Sequence, residues 1–252
     1  MDASTNNEII PAASFKQIDI GFVTPATSIK RVVQCIWVID NVEGSATTLN
    51  EKFYPDAGAS LTFYISQTNC EAKLFYHTQV CAMPWELACR QISIRFRPGA
   101  LKCLFGLTFD DSKNQQIDIA LAMVKQRDSY QRLQAYIIGK TISQQCLAIQ
   151  RWLIELAENS HGAFQKWERM LYQSMSLLVP PQRLADQFGV SRRTLERQFR
   201  TNFGFSPNKL YQFAQIRQAR ALLATNAVEL SHDYGTVLGR VFCKQSMSGV
   251  SH

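Results

Sequence analysis

The stretch from Leu184 to Phe203 constrains this chain more than any other, because its apolar residues repeat with helical spacing on both sides of a single glycine. In PQRLADQFGVSRRTLERQFRTNFG, Leu184, Ala185 and Phe188 form one apolar face of a short helix. Gly189 supplies the turn, since a residue without Cβ takes positive φ at little cost. Val190 plugs the corner, and Ser191 is an N-cap whose hydroxyl accepts from a free backbone N–H of the next helix. Leu195, Phe199 and Phe203 recur every four residues and so share the buried face of that second helix. At about 100° per residue, Arg193, Arg197 and Arg200 fall opposite, with Thr194 and Thr201 beside them. Two helices so joined make a helix-turn-helix. The second presents arginines and hydroxyls suited to a DNA major groove, where the guanidinium fork pairs with guanine and its charge displaces phosphate counterions.

Charge separates this from an ordinary solvated helix. Between Pro181 and Ala224 eight Lys or Arg stand against Asp186 and Glu196, so that stretch holds +6 of the chain's net +7. Spacing and charge asymmetry occur together there, which a plain surface helix does not require. Gly204-Phe205-Ser206-Pro207 then ends the helix and starts another, with Ser206 as N-cap and Pro207 at the first helical position, where its missing N–H costs nothing. The new helix is expected to run to about Ala224, with Leu210, Phe213, Ile216, Ala219, Leu222 and Leu223 on one side.

Read from Leu184 to Pro207 as L-A-x-x-x-G-V-S-x-R-x-L-x-R-x-F-x-x-x-x-G-x-S-P, and continuing through Ile216, Arg217 and Leu223, the sequence resembles the AraC/XylS family of bacterial transcription regulators. The resemblance implies two helix-turn-helix units joined by a long helix and entering successive major-groove segments of double-stranded DNA. Leu184 to Phe203 would be the first unit and Ser206 to Ala224 the joining helix. The family's base-reading positions fall on Arg193, Glu196 and Arg197. Ser191 and Arg192, near the N-cap, would hold phosphate. Thr194 and Arg200 complete the expected DNA-binding set. Glu196 lies toward the edge of the outward face, where a partnership with Arg192 or Arg200 at i±4 is the plainer role.

The N-terminal half has a different rhythm. Arg31 to Ile39, Ser60 to Ile65, Lys73 to His77, Gln91 to Phe96 and Lys102 to Leu107 read as strands. Ile92, Ile94 and Phe96 take one face there, and Ser93 and Arg95 the other. Pro55-Asp56-Ala57-Gly58 and Ser66 to Asn69 carry turn chemistry. FYPDAGASLTFYI and SIRFRPGALKCLFG resemble an N-terminal domain of one AraC branch, which usually keeps P-D-G where this chain has Pro55-Asp56-Ala57-Gly58. Beyond Asp110 the period becomes helical, with Ile117, Leu121 and Val124 on one face. Leu133, Tyr136 and Ile137 make a second, and Cys146, Ile149, Trp152, Leu153 and Leu156 a third. Asn159 to Gly162 ends that helix and Phe164 to Leu178 forms the next. The expected architecture is α+β. Residues 1–112 form an antiparallel β sandwich or barrel for sensing or dimerisation that folds alone, 113–178 a helical connector, and 179–252 an all-α DNA-binding domain.

Other functions fit less well. Seven scattered cysteines (35, 70, 81, 89, 103, 146 and 243) without a C-x-x-C pair read as reduced, mostly buried thiols. A metal-dependent β-barrel enzyme needs clustered histidines and carboxylates, whereas His77 stands alone in the β half, and the aromatics around Trp37, Tyr64 and Trp85 read as core. No metal, cofactor or catalytic residue is therefore expected. The acidic amino terminus and the lack of a long apolar run point to a cytoplasmic protein without a membrane partner. A small-molecule effector and a homodimer are the further partners the resemblance brings.

The family's second helix-turn-helix is only echoed. Leu230 to Gly235 repeats the step from Leu184 to Gly189, and Phe242 follows Gly235 by seven residues. Yet Gly239 falls inside what should be a helix, at a cost of about 1 kcal/mol relative to Ala, and Ser246 stands where a core Phe is expected. Residues 226–252 are thus expected to form a frayed or rebuilt end. The alternative function is a truncated regulator that works as a ligand- or partner-binding module with weak DNA binding.

Overall fold

The computed structural model describes residues 20–40, 48–53, 55–107, 113–122, 127–159 and 165–226. Its strands are β1 (Ile20–Val23), β2 (Val33–Ile39), β3 (Thr48–Phe53), β4 (Ala59–Ile65), β5 (Cys70–Tyr76), β6 (Cys81–Glu86), β7 (Arg90–Phe96) and β8 (Gln115–Asp118). Six of them form one antiparallel sheet in the order β1-β2-β7-β4-β5-β8, while β3 and β6 pair as a separate ribbon. Alternation sets the sheet's faces. Leu61 and Phe63 stand opposite Ile94 and Ile92 on one side and Leu74 and Ala72 on the other. Ile36 and Val38 extend the row through the same Ile94 and Ile92, and all of these side chains are buried.

Lys102 to Leu107 is not a strand. Lys102 to Phe105 lie in helix α1 (Ala100–Phe105), entered from Gly99 at φ 84° and left through Gly106 at φ 68°, with Leu107 just beyond it. The buried residues Leu101, Leu104 and Phe105 explain the difference, because their spacing is that of a helix turn rather than of an alternating strand. Ile117, expected on a helix, is in β8 and pairs with Leu74. That strand is short, at the sheet's edge and mostly exposed, so its sequence carries little apolar signal.

The remaining helices are α2 (Ile119–Ala122), α3 (Arg127–Ile137), α4 (Ile142–Glu158), α5 (Gln165–Ser176), α6 (Pro181–Gln187), α7 (Arg192–Phe203) and α8 (Pro207–Asn226). α4 begins at a capping box, in which the Thr141 hydroxyl accepts from the Gln144 amide and the Gln144 side chain accepts from Thr141. Its expected apolar face, Cys146, Ile149, Trp152, Leu153 and Leu156, is buried. Trp152 lies edge-on to Phe63 of β4 at 6.2 Å between ring centres, and 6.1 and 6.0 Å from the rings of Phe105 and Tyr130. On α3, Leu133 and Ile137 are buried with Tyr130, whereas Tyr136 is half exposed beneath the Lys140 ammonium rather than part of the apolar face. The chain divides into two compact units at Gln215, within α8. The first holds the sheet and α1 to α7; of the second only 216–226 are described.

The sheet is thus completed by β8 and covered by α1, α3 and α4, all but α1 beyond residue 112. A chain ending at residue 112 is expected to be insoluble or to melt without cooperativity, since it would expose Phe63, Leu61 and their neighbours, each worth about 1.5–3 kcal/mol of burial. A chain ending at residue 159 should unfold in one cooperative transition; circular dichroism melts of the two compare them.

Candidate functional site

Two surfaces carry polar chemistry. The first is built by α6 and α7. Gly189 adopts φ 60°, and the Val190 amide donates to the Ala185 carbonyl at 3.0 Å, closing a tight turn between the helices. The Ser191 hydroxyl accepts from the Thr194 amide at 3.1 Å and exchanges a second hydrogen bond with the Thr194 hydroxyl at 2.9 Å. Leu195, Phe199 and Phe203 are buried, the two phenylalanine rings edge to face at 5.1 Å. Gly204, at φ 76°, ends the helix, and the Ser206 hydroxyl accepts from the Lys209 amide at 3.2 Å to start α8.

That buried stripe turns Arg193, Arg197 and Arg200 to solvent. Thr194 and Glu196 are half-buried, and Ser191 is exposed but used in the cap. Arg192 is drawn inward: one terminal nitrogen donates to the Asn208 side chain of α8 at 3.0 Å and lies 3.6 Å from Glu196. The same Glu196 carboxylate lies 3.8 Å from Nε of Arg200. Of the expected set, then, Arg193, Arg197 and Arg200 share one open face. Ser191, Arg192, Thr194 and Glu196 are engaged in contacts that shape the helix.

The second surface is the sheet face opposite Phe63 and Ile94. Trp37 pairs with Ser93, Ser93 with Thr62, and Tyr64 with Gln91, so these side chains share that face. Gln91, Ser93, Thr62 and Arg95 are buried there. The hydroxyls of Thr62 and Ser93 hydrogen-bond at 2.9 Å, and Arg95 donates to the Ser60 hydroxyl at 2.9 Å. The other arm of Arg95 donates to Asp56, whose same carboxylate oxygen also accepts from the Gly58 amide at 2.9 Å. Burial by itself would raise the Asp56 carboxyl, but the charge of Arg95, the Gly58 amide, the Arg95 hydrogen bond and the charge of His77 together hold it below the usual carboxylate range. Alternation had placed Ser93 and Arg95 on this face; the union of Arg95 with Asp56 is a long-range contact that no local pattern announces.

Among the described residues no three of His, Cys, Asp and Glu gather as a metal-holding group, and no helix is long and apolar enough to cross a membrane. No disulfide joins the six described cysteines, and Cys35 and Cys70 are pushed up to about 12 by burial and so held as thiols.

Residues 22–118 match the model of a domain of unknown function, DUF6597. The matched stretch runs from β1 to the end of β8, the span of the six-stranded sheet. That domain is often found at the N-terminus of AraC-type regulators. No curated protein and no solved structure matches the chain.

The Asp56–Arg95 pair makes acid stability testable. A carboxyl held below its ordinary value contributes stability that is full above about pH 4 and lost as the pH falls toward its folded value. Asp56→Asn should therefore flatten the acid limb of a stability-versus-pH curve below about pH 4 and lower stability at pH 7 by about 3–5 kcal/mol. Urea unfolding across pH measures both; an unchanged acid limb would assign it to other groups.

Proposed function

We propose that this chain is a sequence-specific DNA-binding transcription regulator of the AraC/XylS type, with α6 and α7 as the reading helix-turn-helix. The observation that carries this is the open face of Arg193, Arg197 and Arg200 set against the buried Leu195, Phe199 and Phe203. α7 is the recognition helix and α8 the joining helix. The match of residues 22–118 to a domain often placed ahead of such DNA-binding units supports the same reading. The sheet domain is the sensor, and its buried polar face of Gln91, Ser93, Thr62 and Arg95 is the place we assign to a small-molecule effector. Thr62, Gln91 and Ser93 supply hydrogen-bonding groups, and Trp37 and Tyr64 on the same face supply aromatic ones, the combination such a ligand uses.

Selection of bound DNA from a random pool, followed by titration of the selected site, tests the reading directly. Arg193→Ala and Arg197→Ala should each lose discrimination at particular base pairs by about 1–3 kcal/mol. Equal weakening on every sequence would reduce them to phosphate contacts, and no effect would sink the docking of α7.

Residues 227–252, which would hold the second helix-turn-helix or its frayed remnant, lie outside the described residues. With reading concentrated on the first unit, affinity is steeply salt-dependent, because phosphate contacts outweigh base contacts. Deleting residues 229–252 should cost less than about tenfold in affinity for the selected site, roughly 1.4 kcal/mol. A larger loss would make the tail a second reader. Failure of the full chain to select any DNA would favour a ligand- or partner-binding module instead.

A further inference from the structure

A helix leaves its last carbonyls without intrahelical partners. In α7 the Arg200 carbonyl accepts from the Gly204 amide, and the Thr201 carbonyl is met from elsewhere. Nζ of Lys102, on α1 of the sheet domain, donates to it at 3.0 Å and to the Asn202 side-chain oxygen at 3.3 Å. A cation at this end also faces the negative pole of the helix dipole. The contact joins residues about a hundred positions apart in sequence, and it does not stand alone. Tyr76, at the end of β5, lies 6.2 Å ring to ring from Phe205, which itself stands edge to face with Phe213 of α8 at 5.3 Å. A cleft beside this contact is lined by Ala57, Ala59, Tyr76, Lys102 and Thr201, next to the Asp56–Arg95 pair. On its other side α1 is fixed to the core, with Phe105 packed on Phe96 and Trp152.

We propose that Lys102 is a positioning residue: it clasps the C-terminal end of α7 to the sheet domain, so that the arginine face is held in one orientation and a rearrangement of the sheet domain reaches DNA through this joint. The positioning role rests on the DNA-reading function proposed above; the clasp itself does not. Arg200 lies on the last turn of α7, one residue before the carbonyl that Lys102 holds. Freedom at that end therefore translates into freedom of the outward arginines.

The test uses the full chain. Lys102 is exposed, so Lys102→Glu removes the donor and sets a like charge against the carbonyls without opening the core, while Lys102→Arg keeps donor and charge. Hydrogen exchange without DNA should speed up about fivefold at the Phe203 to Phe205 amides in Lys102→Glu, the loss of one such bond, stay near wild type in Lys102→Arg, and not change in β4 or β7. Affinity for the selected DNA should fall about threefold to tenfold in Lys102→Glu, with recovery in Lys102→Arg. Unchanged exchange overturns the proposal whatever the DNA result. Faster exchange with DNA affinity and base preference both unaltered overturns the positioning role. Faster exchange in a protein that binds DNA in neither form upholds the clasp and removes the function on which the positioning role rests.

Discussion

An antiparallel sheet that is apolar on one side has to be covered there, and the rest of the first unit follows from how this is done. Phe63, Leu61, Ile92 and Ile94 make that side, and Trp152 of α4 is the bulky group set into it. Because Trp152 also meets Phe105 and Tyr130, a single side chain brings α1, α3 and α4 to the same strand. Aromatic pairs of this kind add about 0.5–1.5 kcal/mol each beyond the area they bury. More important for the architecture, they fix where the helices can sit. Arg90 strengthens the arrangement at the sheet's end, pairing with Asp40 at 2.7 Å and reaching Gln145 of α4 at 3.3 Å.

The opposite side is organised by a charge rather than by packing. Arg95 is almost wholly buried, and it is tolerable there because Asp56 and Ser60 take its hydrogens. The loop that delivers Asp56 is tightly specified. A Cβ on Gly58 would fall 2.5 Å from the Phe96 carbonyl oxygen, so no other residue fits without moving β7. Ala57, just before it, holds φ 64°, a conformation that side chains other than glycine seldom adopt. The alanine takes the left-handed turn, the glycine passes close to β7, and the carboxylate of Asp56 reaches Arg95.

What could be read from the sequence divides along the range of the forces involved. The turn at Gly189, the cap at Ser191 and the buried Leu195, Phe199 and Phe203 are local, set within one or two helix turns, and they appear as expected. The central strands were legible because both neighbours of β4 and β7 enforce alternation. The edge strands β1 and β8 were not, since only one neighbour constrains each and their outward residues are polar or exposed. α1 was misleading: its six residues are too few to display a period clearly, and its buried Leu101, Leu104 and Phe105 follow helical spacing between the two left-handed glycines that bracket it. Arg192 shows the limit at the site itself. Its place beside the cap suggests an outward phosphate contact, but Asn208, sixteen residues on in α8, draws it back.

Glu196 is shared between Arg192 and Arg200, and this makes the two arginines competitors. Any anion that draws Arg200 outward leaves the carboxylate to Arg192 alone, tightening the attachment of α7's first turn to α8 through Asn208. Binding at one end of the helix would then stiffen the other, an exchange of partners that needs no movement of the backbone. It also means that Glu196 tempers the open face, offsetting part of the positive charge that Arg193, Arg197 and Arg200 present together.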